Sequence, residues 1–287
     1  MTIEPSEDSD ISLDSVLGDC RTSLPSATPK PSSSSVPPAP PGPPFLFVDI
    51  YAQDLGAKPP WAMAMDDCYG AIIKCTESTG GYQYTPWFID NWKRLIVLAG
   101  ERYGRTWFRG AYHFLTFAKS GAAQADYYLD TINKAGGWEH GDLHAIVDVE
   151  LGGERNPNQR ASAQQIIDCT SAFATRVKSV SGSKVILYGR GAMRDKEINS
   201  KMNCDLVWNP SYTERMVTNG LVTVDGKPGP WKLDEIVMWQ FSGDGVGDSS
   251  VHHLPLSPDD FGKVDMSVYV EGANKPSLAS MRSRLLR

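Results

Sequence analysis

The sequence predicts an α/β fold, an irregular TIM-like (β/α) barrel preceded by a disordered, Pro/Ser-rich N-terminal tail. The first observation is that short apolar stretches alternate with helical stretches from residue 45 onward. The second is that about eight of these stretches are strands, and a parallel sheet of that size in one domain closes into a barrel. The third is a change of composition near residue 45, which separates the tail from the barrel.

The tail differs in composition from the rest of the chain. Residues 25–44 contain nine prolines, and the first twenty residues contain six acidic side chains. Such a segment buries too little apolar surface to fold. We expect three parts: a solvated tail over 1–44, a catalytic barrel over 45–272 and a basic C-terminal tail over 273–287. A short peptide in the first part that docks on a protein partner is the alternative to a plain solvated tail.

The barrel elements follow one another along the chain. Strands are predicted at 45–50, 70–78, 109–117, 143–150, 183–190, 205–212, 235–243 and 262–270, because each is a short run of apolar residues. Helices are predicted at 85–104, 120–136 and about 160–179 from their apolar spacing. Thr85 with Pro86, and Ser120, are typical helix starts. Helices become sparse toward the end of the chain, which predicts an irregular second half.

Composition and charge narrow the class of protein. The 287 residues are 41% hydrophobic and carry a formal charge of −6. We see no apolar run of about 18 residues, so no transmembrane segment is expected. No basic stripe is present to neutralise phosphates, so nucleic acid is not an expected partner. The acidic start, "MTIEPSEDSD", is the opposite of a signal peptide.

Cysteine and histidine give little sign of a metal or a disulfide framework. The five cysteines are an odd number without C-x-x-C spacing, which favours free thiols. His252 and His253 stand beside Asp244 and Asp248, but this loop gives weak support for a metal site. We therefore expect neither a metal nor another cofactor.

Carboxylates at strand ends are the first candidates for chemistry. In "HAIVDVE", period-two alternation places Ile146, Asp148 and Glu150 on one face of the strand. Asp49 in "FLFVDI" and Asp265 in "VDMSVY" likewise follow apolar leads. We predict that these four carboxylates converge from three strands at the mouth of the barrel. The alternative for each one is a helix cap or an ion pair with Lys74 or Arg190.

Crowded carboxylates and nearby aromatic rings favour a sugar substrate. Mutual repulsion raises the pKa of at least one carboxyl, which suits a general acid in glycoside cleavage. Aromatic side chains near the strand ends can stack on sugar rings. These are Tyr112, His113, Tyr188, Trp208, Tyr212 and Trp239, and a place in the core is the alternative for each.

An ordered series of motifs resembles glycoside hydrolase family 25, whose members are lysozymes that cleave peptidoglycan. The series is "VDIYAQ", "IIKCTES", "GAYHF", "AAQADYYL", "VDVE", "VILYG", "LVWNPSY", "VMWQF" and "VDMSVY", and it spans about Phe45 to Tyr269. Among the departures, Ser78 stands where the family commonly has glycine after "KCTE".

The resemblance implies a role for each candidate residue. Glu150 matches the general acid/base, and Asp148 would orient and stabilise an intermediate formed by the sugar's own acetamido group. Asp49 and Asp265 match supporting carboxylates, and Tyr112 would contact the intermediate or the sugar. The implied activity is that of an N-acetylmuramidase, which cleaves the β-1,4 bond of bacterial peptidoglycan. Attack by the sugar's own acetamido group would retain the configuration at the anomeric carbon.

Two other functions remain open from the sequence. One is a chitinase-like glycosidase, against which the absence of a longer D-x-x-D-x-D-x-E run counts. The other is a non-catalytic wall-binding or virion module on the same fold.

With no signal peptide expected, a phage-type lysin released by a holin, or a virion-borne enzyme made in the cytoplasm, is the expected setting. For the basic C-terminus, a solvated helix is favoured over contact with an anionic surface.

Overall fold

A computed structural model describes most of the chain from residue 45 onward. The described residues are 45–50, 52, 61, 68–103, 107–139, 141–211, 217–218, 221–222, 231–232, 234–243, 265–271 and 276–287. The predicted tail over 1–44, Tyr212 and the pair His252 and His253 lie outside these ranges.

Eight strands close into a barrel, as the sequence predicts. They are β1 Leu46–Ile50, β2 Gly70–Glu77, β3 Phe108–Phe114, β4 Ala145–Asp148, β5 Val185–Tyr188, β6 Leu206–Pro210, β9 Ile236–Ser242 and β10 Asp265–Tyr269. Two short strands, β7 Val217–Thr218 and β8 Leu221–Val222, form a separate antiparallel pair. Around the barrel the order is β1, β10, β9, β6, β5, β4, β3 and β2.

Five helices are described: α1 Thr85–Tyr103, α2 Gly121–Lys134, α3 Ala163–Ser181, α4 Gly191–Asp195 and α5 Leu278–Leu285. Ser120 begins α2 as expected, because its side chain accepts a hydrogen bond from the Ala123 backbone N–H. A capping box of Ser162 and Gln165 begins α3. The short helix α4 was not predicted. Within the described ranges, no helix combines the length and the apolar character needed to cross a bilayer.

One strand departs from the expected parallel sheet. The pairs from β1 to β6, and the pair of β6 with β9, are parallel, whereas β10 is antiparallel to both β1 and β9. The expectation of a parallel sheet is therefore wrong for β10. Asp265 is the first residue of β10, and the reversed direction places it at the same end as the last residues of the parallel strands.

Alternation along the strands produces two apolar cores. Inside the barrel lie Phe47, Ile72, Ile146 and Ile186. The next residue on each strand faces the surrounding helices: Val48, Ile73, Val147 and Leu187. All eight side chains are fully buried. Burial of each of these side chains contributes about 1.5–3 kcal/mol to the free energy of folding. The period-two pattern therefore determines which face of each strand points into the barrel and which points to the helices.

Helix α5 closes the end of the barrel opposite the mouth. Met281 and Leu285 are fully buried and pack with the inner core. The Leu285 carbonyl accepts from the His144 N–H at 2.9 Å, and the Arg287 N–H donates to the Asp142 carbonyl at 2.9 Å. The expectation of a solvated C-terminal helix is wrong, because this basic segment also carries two apolar residues on the face that meets the barrel.

Candidate active site

An open cleft of about 340 Å³ lies at the mouth of the barrel. The polar and aromatic side chains that line it come from strands β1 to β6, from β10 and from the loop after β4. They are Asp49, Lys74, Glu77, Tyr112, Phe114, Asp148, Glu150, Asn156, Tyr188, Trp208 and Asp265. All four predicted carboxylates thus line one cleft.

Asp148 and Glu150 reach the cleft as the alternation in "HAIVDVE" predicts. Asp148 is the last residue of β4, and Glu150 follows in the next loop, half-buried. Val149, between them, faces the outer core. The Glu150 backbone is held in place, because its carbonyl accepts from Asn158 Nδ2 at 3.0 Å, and the same amide nitrogen donates to the Leu115 carbonyl at 2.8 Å.

The Asp148 carboxyl is buried next to a second carboxyl. Only 5% of the residue is exposed, and its Oδ1 atom accepts no hydrogen bond from the described residues. Burial raises the pKa of Asp148 well above its ordinary value, and the charge of Glu150 raises it further, whereas Lys74 lowers it. The two carboxyls therefore compete for ionisation, and the pair retains a proton at a pH where isolated carboxyls have lost theirs.

Asp49 and Asp265 meet at the seam where the barrel closes. They are direct partners in the antiparallel pairing of β1 with β10. Tyr112, on β3, lies within the electrostatic reach of both: burial raises the pKa of its hydroxyl, and the charges of Asp148, Asp49 and Asp265 raise it further. Tyr112 thus faces carboxylates from three strands.

The predicted aromatic residues divide between the cleft and the core. Tyr188 and Trp208 line the cleft with their rings in an edge-to-face contact, centroids 4.6 Å apart, and Trp208 Nε1 donates to Ser267 Oγ at 3.0 Å. The placement of Trp239 in the site is wrong. It faces the outer core, fully buried, and donates to the Ser211 carbonyl at 2.8 Å. Tyr212 lies outside the described residues.

His113 is likewise a core residue. Its ring stacks on Phe173 with centroids 5.0 Å apart, and its nitrogens bond Thr76 Oγ1 at 2.8 Å and Gln124 Oε1 at 3.2 Å. It is fully buried among the helices, because it alternates with Tyr112 on β3 and so faces away from the cleft.

Two charged residues of the cleft were not predicted as site residues. Lys74 and Glu77 form an ion pair at 2.8 Å on β2. Strict alternation would place residues 74 and 77 on opposite faces. A register shift between Lys74 and Thr76 allows both to face the cleft, while Thr76 bonds His113 outside the barrel. Ser78, which follows, has a φ of 56°, a left-handed conformation that explains why glycine suits this position.

The alternative ion pairs for the predicted carboxylates receive partial support. Lys74 bonds Glu77, and its charge also lowers the pKa of Asp148. Arg190 Nη1 donates to Ser211 Oγ at 2.6 Å. None of the four carboxylates caps a described helix. Among the described residues, no group of three His, Cys, Asp or Glu side chains could hold a metal ion.

A third residue that was not predicted lies beneath the cleft. Gln240 on β9 is buried, with 1% exposed, and its amide bonds Asp49, Asp265 and Tyr188. The motif "VMWQF" contains it, but an amide following a tryptophan gives no sign in sequence that it touches two distant carboxylates.

Comparison with known proteins connects this geometry to a family. The uncharacterized protein YegX of Escherichia coli K12 is 28% identical over 149 residues, 52% of this chain and 48% of that protein. The chain spans about half the length of this relative and of its counterpart in a second Escherichia coli strain.

Solved structures share the fold at low identity. A muramidase from Trichobolus zukalii superposes with a TM-score of 0.58 at 21% identity, covering 83% of this chain and 97% of that one. A bacterial lysozyme from Streptomyces coelicolor gives 0.54 at 20% identity, covering 84% and 96%.

The sequence profile of Glycosyl hydrolases family 25 matches residues 61–249, about two thirds of the chain. This stretch contains Asp148, Glu150 and the strands from β2 to β9. The chain belongs to glycosyl hydrolase family 25.

Proposed function

We propose that the chain is a lysozyme of the N-acetylmuramidase type, which hydrolyses the β-1,4 bond between N-acetylmuramic acid and N-acetylglucosamine in bacterial peptidoglycan. The observation that carries the proposal is the pair of Asp148 and Glu150 in one cleft, with Asp148 Oδ1 buried and accepting no hydrogen bond from the described residues. A buried acceptor of this kind is costly unless a bound molecule supplies a donor. An acetamido N–H of the substrate has the required chemistry.

The two carboxyls divide the reaction between them. The acetamido N–H donates to Asp148, which favours its ionised form and leaves the shared proton on Glu150. Glu150 gives that proton to the glycosidic oxygen while the acetamido oxygen attacks the anomeric carbon and the glycosidic bond breaks. The Glu150 carboxylate then removes a proton from water, which attacks the same carbon and releases the acetamido group. The configuration is retained because the anomeric carbon is attacked twice.

The surroundings of the pair suit this chemistry. Positive charge develops on the sugar in the transition state, and Asp49, Asp148 and Asp265 supply a negative potential around Tyr112. The rings of Tyr188 and Trp208 form an apolar part of the cleft wall. The cleft is open, as a polymeric substrate requires.

Digestion of purified peptidoglycan tests the proposal. After reduction with borohydride, mass spectrometry should show fragments that end in reduced N-acetylmuramic acid. Glu150→Gln should lose the activity by at least about 100-fold, because it removes the proton donor. Asp148→Asn should lower kcat far more than it raises KM, since it acts on developing charge.

Glu197→Gln makes the same substitution as Glu150→Gln at an exposed residue that does not line the cleft, and this matched control should digest like the wild type. Fragments ending in reduced N-acetylglucosamine would exclude a muramidase. Digestion of chitin but not of peptidoglycan would favour the chitinase-like alternative. If the protein digests neither polymer, the non-catalytic module would be favoured.

A further inference from the structure

Two carboxylates face each other directly across the strand pair that closes the barrel. Asp49 of β1 and Asp265 of β10 are register partners, and both line the cleft. Like charges directly opposite each other on neighbouring strands destabilise a sheet. Something in the fold must therefore offset their repulsion if both are to be ionised.

Gln240 is placed to do so. Its Nε2 atom donates to Asp49 Oδ2 at 3.1 Å and Oδ1 at 3.3 Å, and to Asp265 Oδ2 at 3.0 Å. It reaches both because β9 is the neighbour of β10, with Gln240 opposite Ser267.

The Tyr188 hydroxyl fixes which way the amide of Gln240 points. It donates to Gln240 Oε1 at 2.6 Å. Because ionised carboxylates only accept hydrogen bonds, the amide presents its NH₂ group to Asp49 and Asp265 and its oxygen to the tyrosine. A chain of hydrogen bonds therefore runs from β5 through β9 to β1 and β10.

We propose that Gln240 is a positioning residue for the reaction: it holds Asp49 and Asp265 ionised and fixed under the sugar, without itself touching the substrate. The role in catalysis rests on the proposed muramidase function. Gln240 is buried and does not line the cleft, so it acts through the two carboxylates.

The direction of the effect follows from the chemistry of the amide. A hydrogen bond donated to a carboxylate favours its charged form and lowers its pKa. Removing the amide therefore raises the pH at which the Asp49–Asp265 pair binds a proton. The other titratable or charged groups that line the cleft are Lys74, Glu77, Tyr112, Asp148, Glu150 and Tyr188. Tyr188 loses its hydrogen bond to residue 240 when the amide is removed, whereas the other five side chains keep their chemical identity and charge.

Carboxyl titration in the free protein tests the proposal without reference to activity. In protein labelled with ¹³C at aspartate carboxyls, Gln240→Met should raise the titration midpoints of Asp49 and Asp265 by about one pH unit. Gln124→Met is the matched control: it makes the same substitution at a fully buried glutamine outside the cleft and should leave these midpoints unchanged.

Kinetics on peptidoglycan give the second measurement. Gln240→Met should lower kcat on the order of 100-fold with little change in KM. Without the amide, Asp49 and Asp265 are no longer held in the positions from which they stabilise the transition state. The acidic limb of the pH profile should move upward with the titration.

Tyr188→Phe is the second variant, and its carboxyl titration tests the proposal if Gln240→Met does not fold. It keeps the ring and frees the amide to turn, so it should give a smaller upward shift of the same midpoints. Unchanged Asp49 and Asp265 midpoints in the folded variants, or an equal shift in Gln124→Met, would overturn the proposal. If the wild type does not cleave peptidoglycan, the muramidase function fails, and the titration still decides whether Gln240 holds the two carboxylates ionised.

Discussion

Individual carboxylates at strand ends were the part of the site that could be predicted from sequence. Asp49, Asp148 and Glu150 each follow an apolar lead with period-two spacing, so their direction follows from the pleat of the strand. Glu77 was not predicted, because the register shift before it reverses the alternation of inward-facing and outward-facing residues along β2. Gln240 was not predicted for another reason: the two carboxylates it bonds, Asp265 and Asp49, are 25 and 191 residues away in sequence.

Lys74 provides a prediction at this scale. Its charge lowers the pKa of Asp148, which burial has raised. Lys74→Met removes that charge and leaves Glu77 without its ion-pair partner, so Asp148 ionises at a higher pH. We expect the acidic limb of the kcat/KM profile to move upward by about one pH unit.

Lys134→Met is the control for this change. Lys134 is exposed on α2 and pairs with Asp130, away from the cleft. Profiles measured on peptidoglycan should coincide for this control and the wild type. An unshifted profile in Lys74→Met would show that Lys74 does not favour ionised Asp148.

At the scale of elements, the sequence predicts the strands and the long helices to within a few residues, because their apolar periods are clear. It misses the direction of β10, since an apolar strand reads the same in either direction. Asp265 was expected to reach the mouth from a strand over 262–270 of a parallel sheet, and it lies there as the first residue of an antiparallel strand. The helix α4, five residues long, is too short to show a period.

Helix α5 gives a prediction of the same scale. Leu285 is fully buried in the inner core, at the base of the barrel. Leu285→Ala should lower the free energy of unfolding by about 2–5 kcal/mol through lost burial and the cavity left behind. Urea denaturation measures the change.

Leu278→Ala, at the partly exposed start of the same helix, is the matched control and should cost clearly less. Equal small losses from both substitutions would mean that α5 does not support the barrel.

At the scale of the whole molecule, two buried histidines make stability depend on pH. Burial lowers the pKa of His113 to about 3 and that of His144 to about 4. Each binds a proton in the unfolded chain below a pH of about 6.5 but not in the folded one. Their contribution to stability is therefore complete above that pH and is lost as the pH falls toward the folded values.

His113→Gln isolates this effect. Between pH 7 and pH 5 the wild type should lose about 2 kcal/mol more stability than the variant, because only the wild type must protonate this side chain on unfolding. Urea denaturation at the two pH values measures the difference. Identical losses in the two proteins would show that His113 is already protonated in the folded state.

The reversed direction of β10 also bears on how such a barrel can diverge. Elsewhere in the barrel a strand leaves at the mouth and the chain must cross to the opposite end before the next parallel strand begins. Between β9 and β10 the chain leaves the mouth at residue 243 and re-enters it at residue 265. Because both strands meet the connection at the same end of the barrel, a longer connection needs no crossing to the opposite end, and the entropy cost of closing a flexible one grows only with the logarithm of its length. The antiparallel step from β9 to β10 thus allows the chain length between these two strands to change while the strands that carry the carboxylates keep their places in the barrel.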